Sequence, residues 1–120
     1  MYWDFLHIYG QLVEGIASAT LDRPAHSLGI DGFNNDFSLI SSSGELLIPV
    51  RSYRDPRTEV HREAIERILS PRTLYMRTGN QIAPFNTLMQ LAAMVQTGQR
   101  PLLEGAHRLL HLPDLLTYYL

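Results

Sequence analysis

Residues 26–58 run through three short apolar stretches, each closed by small or polar residues, and this limits the fold more than any other feature of the chain. Residues 26–31 end on Asp31 and Gly32, residues 37–40 end on Ser41-Ser42-Ser43-Gly44, and residues 46–50 lead into Tyr53, Arg54, Asp55 and Arg57. Apolar runs of this length split by Gly and Ser clusters are expected as strands joined by tight turns. The second and third are expected to form a hairpin around Ser42-Ser43-Gly44.

Helical patterns surround these strands. Phe5, Ile8, Leu12, Ile16 and Ala19 recur at the spacing of one helix face. Leu6, Tyr9 and Val13 widen the stripe, so this helix is expected to be covered on more than one side, with Gly10 and Gly15 at close approaches. Asp55-Pro56 has the form of a cap followed by proline at the first helical position. The helix it opens is expected to turn Val60, Ala64, Ile65, Ile68 and Leu69 inward, with the attractive pairs Glu59–Arg62 and Glu63–Arg67 outward. Ser70-Pro71 starts a short helix that Gly79 closes. A third long helix is expected over residues 84–97, with Leu88, Leu91, Ala92 and Val95 inward and Gly98 as its cap. Residues 101–105 make one more turn, residues 108–112 a short buried strand, and Asp114 opens a last helix. Strands set among helices make an α/β chain.

At 120 residues there is room for one domain at most. Apolar residues at 45% and charged residues at 18% describe a globular chain, and a net charge of −2 offers no basic field for nucleic acid or an anionic membrane. With no cysteine there is no disulfide, thiolate metal site or cysteine nucleophile. No apolar run approaches the ~20 residues of a membrane span, and the N-terminus lacks a basic leader, so a cytoplasmic location is expected.

The search for chemistry turns up little that acts alone. Phosphate cradles need clustered glycines, whereas here they are scattered, and no G-x-x-x-x-G-K-[ST] occurs. No G-x-S-x-G elbow is present. His107 and His111 have zinc-chelating i, i+4 spacing, but Pro113 and the leucine-rich context argue against a continuous helix, and no metal site is expected. Asp31 reads as a strand-end acid that fixes its loop by accepting backbone N–H groups. Asp55 and Arg57 read as an Arg–Asp bridge and helix cap, while Arg54 remains open as a ligand contact.

Several stretches together resemble the N-terminal domain of the FGGY carbohydrate kinases, in particular the rhamnulokinase branch. Ser27-Leu28-Gly29-Ile30-Asp31, Asp36-Phe37, Pro49-Val50, Tyr53-Arg54-Asp55 and Arg57-Thr58 are similar to S-I-G-I-D, D-F and P-V-x-Y-R-D-x-R-T. Residues 82–91 resemble L-P-F-N-T-L-Y-Q-L, and Leu112-Pro113-Asp114 with Tyr118 and Leu120 resembles M-P-D-x-x-x-Y-x-L. The segments are collinear along nearly the whole chain.

The resemblance implies a fragment of a ribonuclease H-like (actin-like ATPase) domain, a short mixed sheet flanked by helices, spanning residues 1–120. It further implies that the phosphate-binding hairpin, the catalytic aspartate and the C-terminal nucleotide lobe lie outside this stretch, so no residue here is assigned to catalysis or to ATP and Mg2+. The intact enzyme would transfer the terminal phosphate of ATP to a ketose such as L-rhamnulose. The implied sugar-facing residues are Phe33, Asn34 and Asn35, with Arg54 beyond them. Phe33 stands where the family has tryptophan and Asn34 where it has glycine. Asn suits polyol recognition because it both donates and accepts, but Asn-Asn beside glycine is also ordinary turn chemistry. The alternative is a catalytically inactive structural chain that associates with itself or with a complementary kinase fragment. On that view the first apolar run has an unpaired edge and the first helix an uncovered stripe.

Overall fold

The strand β1, Phe37–Ile40, is buried at all four positions because elements pack on both its edges and both its faces. The computed structural model describes residues Met1 to Leu120. In chain order it contains α1 (Phe5–Ala19), β1, a 3-10 turn (Pro56–His61), α2 (Arg62–Ile68), α3 (Pro71–Thr78), α4 (Thr87–Gln96), α5 (Arg100–Gly105), β2 (Arg108–His111) and α6 (Leu112–Tyr119). The chain is mixed α/β.

β1 and β2 pair antiparallel, with Phe37 opposite His111 and Ile40 opposite Arg108. The Asp36 and Ile40 carbonyls face β2 and accept from the Leu112 and His107 N–H groups, both at 2.8 Å. The Leu39 carbonyl faces the other way and accepts from the Leu47 N–H at 2.8 Å. The hairpin expected around Ser42-Ser43-Gly44 is thus present as a reversal, held by the Ile40–Leu46 bridge, but its second arm is not a continuous strand. Gly44 takes φ +87°, and a Cβ there would meet the Tyr118 hydroxyl at 3.2 Å, so the turn requires glycine.

This arrangement corrects two expectations. The sheet is two-stranded and antiparallel rather than mixed. Residues 26–31 form no strand, because both edges of β1 are already taken and the segment finds no ladder to join. Its backbone lies largely exposed, where water satisfies the N–H and C=O groups. Ile30 alone of that run packs onto the core.

Strand alternation sends β1 side chains to two clusters. Ile40 joins Phe5, Val50, Leu112, Leu115 and Leu116, while Phe37 and Leu39 join Met94. Ser38, also buried, donates to the Ile48 carbonyl at 2.6 Å. α6 has Pro113 in its first turn and turns Leu112, Leu115 and Leu116 inward, each such buried aliphatic contributing roughly 1.5–3 kcal/mol. α1 docks on α6 through Phe5 and through Tyr9, whose hydroxyl donates to the Tyr119 carbonyl at 2.7 Å. The Tyr119 hydroxyl in turn donates to the Gly44 carbonyl at 2.7 Å.

The helices bury less than their patterns suggest. In α1 only Phe5 is buried, Leu6 is 77% exposed, and a Cβ at Gly10 or Gly15 would meet nothing within 4 Å. The helix is therefore covered on one side, not several, and its glycines serve no close approach. After Asp55, which accepts from the Arg57 N–H, the chain makes a 3-10 turn before α2. Three residues per turn shift the phase of the pattern. Ile65 faces inward as expected, but Val60 and Ile68 are 79% and 78% exposed. Arg62 pairs with Glu66 rather than Glu59, and Arg67 pairs with Glu63.

In α4 the buried face is Met89, Gln90, Ala93 and Met94, whereas Leu88 and Val95 are exposed, one residue out of phase with expectation. α3 follows expectation: Ser70 accepts from the Thr73 N–H, and Gly79 closes the helix at φ 68°. β2 lies where a buried strand was expected, but it is only partly covered. The radius of gyration is 16.9 Å, against roughly 13–14 Å for a compact chain of this length. The protein is drawn out because its two clusters are small. No helix is long and apolar enough to cross a membrane.

Candidate functional site

The loop leading into β1 carries the residues singled out from sequence, and a polar side chain on α4 holds that loop in place. Gln90 is only 3% exposed, so each of its polar atoms needs a partner. Its Nε2 donates to the Asn35 carbonyl at 2.8 Å and to the Phe85 carbonyl at 3.0 Å, and its Oε1 accepts from Arg57 Nη2 at 3.0 Å. Thr87 adds a longer contact to the Asn35 carbonyl at 3.4 Å. The segment around Arg57 and the Asn34-Asn35 turn, far apart in the chain, are therefore tied together through one amide.

An aromatic row runs beside the turn. Trp3 and Phe33 stack with centroids 5.2 Å apart, Phe33 meets Tyr53 at 5.4 Å, and Tyr53 meets the edge of Phe85 at 6.2 Å. Such contacts add about 0.5–1.5 kcal/mol beyond area burial. Arg54 lies over the Tyr53 ring and donates from Nε to its hydroxyl at 3.0 Å.

On the other side of the turn lies a cavity of about 300 Å³ between the β1–β2 sheet and the helices α3 and α4. Its polar lining includes Asn34, Asn35, Asn80, Gln81, Asn86 and His111. Leu74, Ile82 and Leu88 supply apolar wall. The volume is at the lower end of small-molecule clefts, roughly 300–1,000 Å³. No carboxylate or guanidinium lines it, so it offers hydrogen bonds without a field for an ion.

The charges lie behind the cavity. Asp36 is fully buried, and its Oδ2 accepts from the Trp3 indole N–H while Oδ1 has no partner. Burial raises its pKa, against the opposing pull of the Trp3 hydrogen bond, the Tyr53 backbone N–H and the nearby His111. At Asp55 burial also acts upward but is outweighed. The Met1 ammonium, the Arg57 backbone N–H and the Arg51 charge hold that carboxyl below its usual range. Arg51, 3.6 Å from Asp55, thus takes the bridging role expected of Arg57. Asp31 accepts from the Gly32 N–H at 2.9 Å, the loop-fixing bond expected of it.

Of the four residues picked out from sequence, the fold brings Asn34 and Asn35 to the cavity. Phe33 belongs to the aromatic row, and Arg54 lies at its exposed flank. Gln90, Asn80, Gln81 and Asn86 were not singled out as ligand contacts, and His111 was weighed only as a zinc ligand beside His107. The amides at 80, 81 and 86 stand close in the chain and offered a signal. Gln90 and His111 reach the site only through helix phase and strand register.

The glycines at positive φ, Gly44, Gly79 and Gly98, lie at three separate turns and cannot cradle phosphates together. No group of three His, Cys, Asp or Glu side chains is placed to hold a metal ion.

No family model matches the chain. It is similar to rhamnulokinases along nearly its full length. The rhamnulokinase of Oceanobacillus iheyensis is 38% identical over 120 residues, covering 98% of this chain and 25% of that protein. Those of Yersinia pestis and Mannheimia succiniciproducens are 37% and 34% identical, again over 98% of this chain and 24% of theirs. By this likeness the chain is similar to a partial segment of the rhamnulokinases, spanning about a quarter of the length of the relatives it matches.

Proposed function

We propose that this chain forms part of the sugar-binding wall of a rhamnulokinase-like carbohydrate kinase of the FGGY family, within a ribonuclease H-like (actin-like ATPase) N-terminal domain. The intact cytoplasmic enzyme would move the terminal phosphate of ATP, with Mg2+, onto a hydroxyl of a ketose such as L-rhamnulose by in-line attack. The observation that carries this reading is the uncharged, amide-lined cavity of about 300 Å³ beside Asn34 and Asn35, in a chain so similar to rhamnulokinases. Amides donate and accept at once, as sugar hydroxyls do, and the apolar wall excludes competing water. The chain's own part is binding and orientation, which lowers the entropic barrier to reaction, rather than phosphoryl transfer itself. Phe33 and Arg54 belong to the aromatic row across the turn and line no part of this cavity.

Titration of the 120-residue chain with L-rhamnulose, L-fuculose and D-xylulose, followed on the Asn34 and Asn35 amide signals, tests the reading. Saturable shifts strongest with L-rhamnulose are expected, and no shift with any ketose would overturn it. The chain alone, given ATP, Mg2+ and L-rhamnulose, is expected to form no sugar phosphate.

A second reading, an inactive structural chain that associates with itself, draws support from exposed apolar surface. Leu6 and Val13 protrude from α1, and an apolar groove of about 280 Å³ runs between α2 and α4, past Ile68, Leu69, Leu88 and Val95. Sedimentation velocity over a concentration series decides: association supports this reading, and a concentration-independent monomer with a cooperative, high-temperature melt opposes it.

A further inference from the structure

Two side-chain polar atoms of the chain are enclosed without a hydrogen-bond partner, Asp36 Oδ1 and His111 Nδ1. Strand pairing makes their residues neighbours. The Leu112 N–H donates to the Asp36 carbonyl at 2.8 Å and His111 lies opposite Phe37, so residues 36 and 111 occupy adjoining rungs of the ladder. Asp36 is fully buried, and its other carboxylate oxygen is already taken by the Trp3 indole N–H. Burial raises the Asp36 pKa and the His111 ring opposes the rise, as a group within electrostatic reach does. An enclosed polar atom without a partner has given up its bond to water for nothing in return, a state that native proteins rarely leave uncompensated. Here the two atoms can compensate each other.

An ionised carboxylate only accepts, so its partner must bring the proton. A neutral imidazole has one N–H, and carrying it on Nδ1 gives Asp36 a charge-assisted donor. The χ2 torsion of histidine is soft, so the ring can turn onto the carboxylate at little cost. We propose that Asp36 is a positioning residue for His111, holding the ring as its Nδ1–H tautomer and leaving Nε2 without a proton. His111 lines the amide cavity, and its Nε2, unlike Nδ1, is not enclosed. The ring therefore offers an acceptor there and no donor, whereas the amides of Asn34 and Asn35 offer both. What the tautomer means for a ligand rests on the sugar-binding reading above; the tautomer itself does not.

Ring 15N spectra of the 120-residue chain, labelled at histidine and recorded at pH ~8 where an ordinary imidazole is neutral, read the tautomer directly. His111 is assigned by the loss of its signals in His111→Gln. Its Nδ1 is expected at the shift of a protonated ring nitrogen and its Nε2 at that of a bare one, the Nδ1–H form outweighing the other by about tenfold or more. Asp36→Asn can keep its oxygen on the Trp3 indole and turn an amide N–H toward the ring, so the two shifts are expected to exchange. The Nε2–H form as the main species of the unsubstituted chain overturns the proposal, and so does a tautomer that Asp36→Asn leaves unchanged. The sugar reading survives either result, because the response of the Asn34 and Asn35 amides to L-rhamnulose tests it separately. Should Asp36→Asn fail to fold, the tautomer of the unsubstituted chain decides alone.

Discussion

The half of the molecule built on β1, β2 and α6 and the half built on α2, α3 and α4 are made from similar amounts of apolar sequence but bury very different fractions of it. In the first, Ile40, Val50 and Leu115 are completely enclosed, and the end of α1 is tied down through Tyr9 and Tyr119. In the second, α2 buries only Ile65 and α3 only Leu74, while Val60, Ile68, Leu88 and Val95 face outward. An amphipathic stripe records what a helix is able to bury; a neighbour decides whether it does so. β1 has neighbours on both edges and both faces. α2 and α3 have them on one side, and the space left between α3, α4 and the sheet is the amide-lined cavity. The sparse packing of this half and its polar cavity share one cause, too few apolar partners to close the gap.

The largest effect should separate the halves outright. Leu115→Ala is expected to cost about 3 kcal/mol, whereas Ile68→Ala, at a position 78% exposed, should stay within ~0.5 kcal/mol; urea midpoints measure both. Equal costs would mean that the second half is as tightly packed as the first. Next, Gln90→Leu should cost about 2 kcal/mol, because it leaves the part-buried Asn35 and Phe85 carbonyls and the Arg57 guanidinium short of partners. Hydrogen exchange should then quicken at Asn35 and along the start of α4 more than in α6; uniform quickening would show the two halves to be one cooperative unit.

Asp36→Asn tests the tight half from the opposite direction. An acid whose pKa rises on folding favours the native state while protonated, and that contribution disappears as pH climbs through the folded-state value. The variant keeps an acceptor for the Trp3 indole and removes the buried charge. It should therefore gain about 1 kcal/mol at neutral pH, the gain fading as pH falls through the raised folded-state value and vanishing below the ordinary carboxylate value. A variant less stable at pH 7 than the parent would show that the ionised carboxylate is better held than its unpartnered Oδ1 suggests. The smallest effect is expected at Ser70→Ala, about 0.5–1 kcal/mol from loss of the α3 cap, seen as fraying of α3 with β1 undisturbed.

Legibility followed the same division between local and tertiary causes. Caps and terminators could be read at Asp55, Ser70 and Gly79 because each acts within a few residues of itself. Asn34 and Asn35 became candidates through the resemblance rather than from their own pattern, which also fits a plain turn, and that turn sets them at the cavity. The phase of α4 was not legible: Leu88 and Val95 are the more apolar choice for an inward face, yet Gln90 turns inward because Arg57 and two carbonyls await it there. The strand expected at residues 26–31 failed for a matching reason, since a strand needs a free edge and residue 110 opposite Ser38 had already taken one.

Taken alone, the order of residues determined where turns, caps and helices begin, and it carried the likeness to rhamnulokinases, because both depend on chemistry within a short span of chain. Which apolar faces are covered, which amide ties the site together and that His111 stands beside Asn35 were decided only in three dimensions. Those outcomes depend on which edges and surfaces remain free once β1 has paired, and no local pattern in the chain encodes that competition.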